Sequence, residues 1–235
     1  MIIFPVKTRI FKANESLANF ITSEIPKLKN KSMLVVTSKI LALSQGRVVE
    51  KIKNRKEKEV WIRKESEKFY ETKWCYLCLK DGHWCANGGI DESNAESGGI
   101  ILWPKKNYEA AEDLRKKLLK HYKIKNLGIL FTDSRIFPLR SGVVGVALGY
   151  AGFNGLKSYI GKKDIFGRKF KFEKVNMADS LASAAILVMG EGKERIPLAV
   201  IENAPVEFTN KKINKKELRI KPENDIFRVL FENLK

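Results

Sequence analysis

Apolar runs of strand length, spaced along the chain between helical or polar stretches, set the strongest limit on how this sequence folds. "SMLVVTSKIL" and "LGILFTDS" read as buried strands that run toward polar ends, and "IPLAVIENA" as one more. Their density of Val, Ile and Leu is that of strands covered on both faces. "SGVVGVALGYAGFNG" is a glycine-interrupted apolar run, in which small residues predict close approach of backbones. Helical periods lie between these runs. "NESLANFITSEIPKL" puts Leu17, Phe20, Ile21 and Ile25 on one face, with Asn14 as its N-cap. "NYEAAEDLRKKLLKHYKIKN" is amphipathic, and "MADSLASAAILVMGEG" is a small-residue helix ending at Gly190. The fold class is mixed α/β (α+β). A helix, then a buried strand, then the polar end Thr132-Asp133-Ser134 is an order in which α/β proteins place ligands.

The remaining segments are less regular. "VEKIKNRKEKEVWIRKESEKFYET" is highly charged and in part a surface helix. "KWCYLCLKDGHWCANG" reads as two strands joined by Asp81-Gly82, a two-residue hairpin turn. "KFKFEKV" alternates as a strand does. The tail is a basic connector with a short helix that buries Ile226, Phe227, Leu230 and Phe231. There is no internal repeat and no long Pro/Gly/Ser linker. Residues 1–209 are expected to form one domain of two intimately packed subdomains, and 210–235 the connector and C-terminal helix.

With 235 residues, 44% of them hydrophobic, the chain is globular and long enough to bury a core. No apolar run approaches the roughly 20 residues of a membrane span, and "MIIFPVKTRIF" lacks the charged start and long apolar centre of a signal peptide. A cytoplasmic protein with no membrane partner is the expectation. The net charge of +18 raises nucleic acid as a partner. Lysine far outnumbers arginine, however, and is spread along the whole chain, whereas base readers and phosphate clamps cluster Arg with aromatics. A solvated lysine-rich surface, or a field that attracts nucleotide-like polyanions, accounts for it better.

Three chemistries can be set aside. Cys75, Cys78, His83 and Cys85 have the makings of a zinc site, but in a strand Cys75 and Cys78 point to opposite faces, so apolar filler is preferred. "GYAGFNGLKS" and "GLKSYIGKKD" miss the spacing of a P-loop. Two histidines furnish no nucleophilic triad. Carboxylates remain. In "CANGGIDESNAESGG" two glycines precede Asp91, and Glu92, Ser93, Asn94 and Glu96 follow. Asp133 ends a strand, Asp179 opens a helix, and Glu191 lies between Gly190 and Gly192. Each has an ordinary reading as a turn, cap or strand-end acid. Together they offer hard oxygen ligands for Mg²⁺ or Mn²⁺ holding phosphates.

"NGGIDESNAESG", "GILFTDS", "PLRSGVVGVALGYAGF", "YIGKKDIFGR" and "ADSLASAAILVMGEG" stand in the same order as the blocks of the coenzyme F-420 γ-glutamyl ligase family, and the chain resembles it from "FPVKTRIF" to about "IPLAVIE". The resemblance implies that family's fold as an intertwined homodimer. It also implies an activity: L-glutamate joined through a γ-linked amide to a phosphate-bearing deazaflavin or a folate-like acceptor, driven by GTP or ATP. Relatives of this fold also serve folate metabolism. Carried over residue by residue, it makes Asp91, Asp133, Ser134 and Glu191 the ligands of Mg²⁺ or Mn²⁺, with K⁺ a further candidate ion, and Asp91 and Asp133 the catalytic pair. Arg9, Ile10, Phe11, Ser38, Lys39, Asn94, Gly190, Glu191 and Gly192 fall where the family meets its nucleotide. Departures accompany it. Leu43 replaces a family lysine in "ALSQGR", Gly88 stands for an alanine, and "TDSRIFPLR" replaces "TDTNGR" beyond the metal. Two other readings stand beside the ligase: a nucleotide-binding relative without ligation, and a basic nucleic-acid-associated protein.

Overall fold

The structure is a computed structural model that describes residues 1–95 and 98–231; Glu96 of the acidic loop and the side chain of Phe231 lie outside the described residues. Its centre is a mixed five-stranded sheet. The strands are β1 (Ile2–Val6), β2 (Ser32–Thr37), β8 (Leu127–Arg135), β9 (Val144–Ala151) and β12 (Leu198–Glu202), in the spatial order β1-β12-β2-β8-β9. Only β2 and β8 run parallel. Helices cover both faces, as the continuous apolar character of the central strands requires. Leu34, Val36, Ile129, Phe131, Leu198 and Val200 pack on one side with α1 (Leu17–Glu24), α2 (Ser38–Ser44) and α4 (Asn107–Tyr122). Met33, Val35, Leu130, Ala199 and Ile201 pack on the other with α5 (Met177–Met189). The alternation of faces along each strand follows from the two-residue period. Each fully buried Leu or Ile contributes roughly 1.5–3 kcal/mol.

The small residues of β9 and α5 do what their size allows. A Cβ on Gly145 would sit 2.4 Å from the Ala182 carbonyl oxygen, so the strand touches the helix backbone to backbone. At the kink of the ladder between Phe131 and Thr132, the Asp179 carboxylate accepts from the Ala147 N–H at 2.8 Å. Asp179 is therefore committed to the fold, and the cap of α5 is Asn176.

A smaller antiparallel sheet of β4 (Lys68–Glu71), β5 (Tyr76–Lys80) and β6 (His83–Ala86) lies beside α3 (Arg55–Glu65). Its hairpin turns at Asp81 (φ 49°) and Gly82 (φ 74°), the left-handed pair that a two-residue turn needs. Cys78 and Cys85 face one another across the strands and are buried, while Cys75 precedes β5. Among the described residues no three His, Cys, Asp or Glu side chains form a metal-ligating group. Two short ladders complete the fold, β3 (Val48–Val49) with β7 (Ile100–Ile101) and β10 (Leu156–Ser158) with β11 (Lys174–Asn176). Among the described residues no helix is long and apolar enough to cross a membrane.

Four sequence expectations need correction. Ser16, not Asn14, caps α1; Asn14 adopts a left-handed turn (φ 61°), which asparagine tolerates. "SMLVVTSKIL" leaves the sheet at Thr37, whose hydroxyl accepts from the Lys39 N–H at 3.2 Å and starts α2 at Ser38. Only residues 174–176 of "KFKFEKV" and its flank are strand. Among the described residues the tail helix, α6 (Arg228–Phe231), is one turn and its apolar residues are not buried: Ile226 is 85% exposed, and Phe227 and Leu230 are also exposed.

Candidate functional site

A cleft of about 190 Å³ opens where the parallel pair β2 and β8 ends. One wall belongs to the sheet. Thr37 and Thr132 are register partners, so the next residues of each strand, Ser38 and Lys39 on one side and Asp133 and Ser134 on the other, arrive at the same edge. The facing wall is the loop that carries Gly89, Asp91 and Trp103. That loop is closed by paired hydrogen bonds between the backbones of Asp91 and Ile101, at 2.9 and 2.8 Å. Gly88 and Gly89 both take positive φ, 65° and 71°. At Gly89 the requirement is also steric, since a Cβ would lie 1.8 Å from Trp103 Cε3. The second glycine of the motif lets the tryptophan lie flat on the chain that delivers Asp91.

Both acids of the cleft carry a cation. Asp91 Oδ2 is 2.8 Å from Lys39 Nζ, while its Oδ1 accepts from the Ser93 N–H and hydroxyl, each at 2.7 Å. Lys39 also donates to Ser93 Oγ at 2.8 Å. Asp133 Oδ2 accepts from Arg135 Nη1 at 2.8 Å. Glu191 follows the Gly190 cap of α5 and is exposed as a residue. Its carboxyl is nonetheless raised above the ordinary range. Partial burial is the main cause, and the charges of Asp133 and Asp91 add to it against Lys39 and a hydrogen bond from the Ser134 hydroxyl. Glu191 thus feels the three other metal candidates and Lys39. A divalent cation suits this all-oxygen set chemically, and would relieve the repulsion felt by Glu191. It would have to displace Lys39 and Arg135 from the carboxylates they now hold.

The other nucleotide candidates are placed less uniformly. Arg9 is exposed and tied to Glu15 and, at 3.6 Å, to Glu24, with its guanidinium 4.8 Å from the Phe20 ring centroid. Ile10 is exposed, but Phe11 is a core residue, in edge contact with Phe20. The stretch Arg9-Ile10-Phe11 therefore does not line the cleft, and the Phe11 ring is unavailable to a ligand. Asn94 sits at the left-handed corner (φ 59°) of the acidic loop and is exposed, as are Gly190 and Gly192. Leu43, where the family resemblance expects lysine, packs against the core, so Lys39 is the cation that faces the cleft from this segment.

Sequence reasoning missed Arg135 and Trp103. Arg135 is only 8% exposed and lies 4.4 Å over the Trp103 ring. Nothing in "TDSRIFPLR" separates a buried arginine from a solvated one; the signal was its position on the cleft side of a strand-end acid. Nearby, His83 stays neutral down to about 4, because burial and then the charges of Arg135 and Arg219 oppose its protonation. Burial raises the Cys85 thiol to about 11, which makes it inert.

Comparison with known proteins places most of the chain in one family. The family model described as F420-0:Gamma-glutamyl ligase matches residues 5–203. The chain is 46% identical over 149 residues to Coenzyme F420:L-glutamate ligase of Methanococcus maripaludis, which is 63% of this chain but 58% of that relative. It is 32% identical over 221 residues to the enzyme of the same name from Archaeoglobus fulgidus, covering 87% and 88% of the two chains. A Methanosarcina mazei relative with that name is 31% identical over 211 residues, 83% of this chain and 82% of the relative. The chain thus spans little more than half of its methanococcal relatives and most of the others. With the family pattern matched from Pro5 to Asn203, the chain belongs to the F420-0:gamma-glutamyl ligase family.

Proposed function

We propose that the protein is a nucleotide- and divalent-metal-dependent γ-glutamyl ligase that joins L-glutamate to a cofactor carboxylate, that of a coenzyme F420 precursor or a folate. The observation that carries this reading is the meeting of Asp91, Asp133 and Ser134 in one cleft, in a chain of this family, with Lys39 between two elements of the site.

A carboxylate is a poor electrophile at neutral pH, so amide formation needs a leaving group first. In the proposed sequence an acceptor carboxylate oxygen attacks the γ-phosphorus of GTP or ATP, giving an acyl phosphate and the nucleoside diphosphate. The glutamate amine then attacks the acyl carbon, loses a proton, and inorganic phosphate departs. No side-chain nucleophile is needed. The task is to hold anions together, which is positioning and charge stabilisation. Asp91, Asp133, Ser134 and Glu191 would hold Mg²⁺ or Mn²⁺, which would supply positive charge to offset the repulsion of the assembled anions. Lys39, released from Asp91, would take a phosphate oxygen. Ser38, Asn94, Gly190 and Gly192 remain the nucleotide contacts of this reading, with Arg9 and Ile10 farther out.

The same reading makes the molecule a homodimer. Ile136 and Val143 line the cleft and are exposed, and Phe137, Leu139, Ile165, Phe166 and Phe172 are exposed as well. A second copy would cover such surface. Light scattering should return the mass of two chains; a monomer at micromolar concentration would contradict it. For the activity, the protein is incubated with L-glutamate, Mg²⁺ or Mn²⁺, and GTP or ATP, with deazaflavin and reduced-folate acceptors offered in parallel. The expected product is an acceptor heavier by one glutamyl residue, formed only with metal and nucleotide. Nucleotide binding with no glutamylated product from any acceptor would overturn the ligase reading.

A further inference from the structure

Arg135 and Trp103 line the cleft and carry buried N–H groups with nothing to donate to, and we infer that they form a subsite for a carboxylate of the amino-acid substrate. Arg135 Nη1 is spoken for: it donates to Asp133 Oδ2 at 2.8 Å and to the Ser134 carbonyl at 2.7 Å. Its Nε and Nη2 are buried without a partner, and so is Trp103 Nε1. Both residues line the cleft, and the guanidinium lies 4.4 Å over the indole. Buried donors in folded proteins are nearly always matched, so unmatched ones on two stacked neighbours mark a place that expects acceptors.

The chemistry of the missing partner follows from what is present. Nε and Nη2 form one edge of the guanidinium, two parallel N–H groups spaced for the two oxygens of a carboxylate. At about 190 Å³ the space is smaller than the 300–1,000 Å³ of drug-sized sites, which suits an amino acid. Asp133 holds the guanidinium at Nη1 alone, so the Nε–Nη2 edge is left for a carboxylate whether or not that pair is kept. Glutamate as the occupant rests on the ligase reading above; the carboxylate subsite itself rests on the donors.

Isothermal titration of the full chain, without nucleotide, tests it with L-glutamate and with inorganic phosphate as separate ligands. Saturable glutamate binding is expected, at least tenfold weaker in Arg135→Met, partly restored in Arg135→Lys, and a few-fold weaker in Trp103→Phe, which keeps the stacked ring and removes only its N–H. Should Arg135→Met fail to fold, the Trp103→Phe and Arg135→Lys affinities decide. Heats for phosphate alone would overturn the assignment, as would undiminished glutamate binding in the variants or no binding in the wild type, where water alone fills the space. In turnover, the variants should raise KM for glutamate more than they lower kcat. Glutamate bound but never ligated would sink the ligase reading and leave the subsite standing; ligation with an unchanged KM in Arg135→Met would do the reverse.

Discussion

The two walls of the cleft are built on different principles. The sheet wall, with Ser38, Lys39, Asp133 and Ser134, is the end of two parallel strands buried on both faces, and its geometry is inherited from the core. The loop wall, with Gly89, Asp91 and Trp103, is irregular at Asp91 and is tied down by the Asp91–Ile101 bridge, the β3–β7 ladder and Arg47, which donates to the Trp103 carbonyl at 3.1 Å. Rigid elements place a group more accurately than loops do. The sheet wall therefore sets its ligands by strand register, and the loop wall sets Asp91 by a backbone bridge and the packing of Gly89 on Trp103.

Substitutions can break that contrast. The largest effect is expected from neutralising one acid on each wall. Asp91→Asn and Asp133→Asn should each reduce turnover by about 10³-fold, near 4 kcal/mol of barrier, with unchanged circular dichroism. Unaltered activity in both would remove the assigned roles. Next comes Gly89→Ala, which drives a methyl into Trp103 and adds a strained positive φ. Overpacking with backbone strain should cost about 2–4 kcal/mol, seen as a lowered Tm, and should displace Asp91 while leaving Lys39 in place. A stability loss below about 0.5 kcal/mol would show that the loop wall yields freely.

The small sheet and α3 beside the cleft should respond to pH. His83 ordinarily titrates near 6.5 but is held to about 4 in the folded protein. Its neutral form favours folding at all pH above 6.5, and that stability drains as pH falls toward 4, on the order of 2–3 kcal/mol. Denaturant titrations at pH 7 and 4.5 check it; His83→Gln should flatten this slope. Glu65 acts lower on the scale. Burial alone would raise its carboxyl, but Arg47 and Lys80 overcome that and hold it below the ordinary range. Its contribution is present above the usual carboxylate pKa and lost as pH falls through the lowered one. At the small end, Ile226→Ser in the exposed tail should change stability by less than about 0.5 kcal/mol.

What was legible in the sequence follows the same division. "LGILFTDS" announces both its burial and its polar end, because a strand's face and terminus are local properties. The paired glycines announce a turn before Asp91. What sequence could not give is contact between distant segments. Trp103 reads as one more apolar residue in "IILWP", and Arg135 as one more basic one, until the fold stacks them. Phe11 looked available to a ligand until Phe20 was seen to cover it. Asp179 looked like a ligand until the irregularity of the β8–β9 ladder claimed it. The tail residues had an apolar pattern without a partner surface, and pattern alone does not bury.

Manganese binding followed by electron paramagnetic resonance is the most direct test of the claim that acids from both walls hold one cation. The account predicts saturable Mn²⁺ binding by the wild type that is lost in Asp91→Asn and again in Asp133→Asn. Equal binding by all three proteins would contradict it.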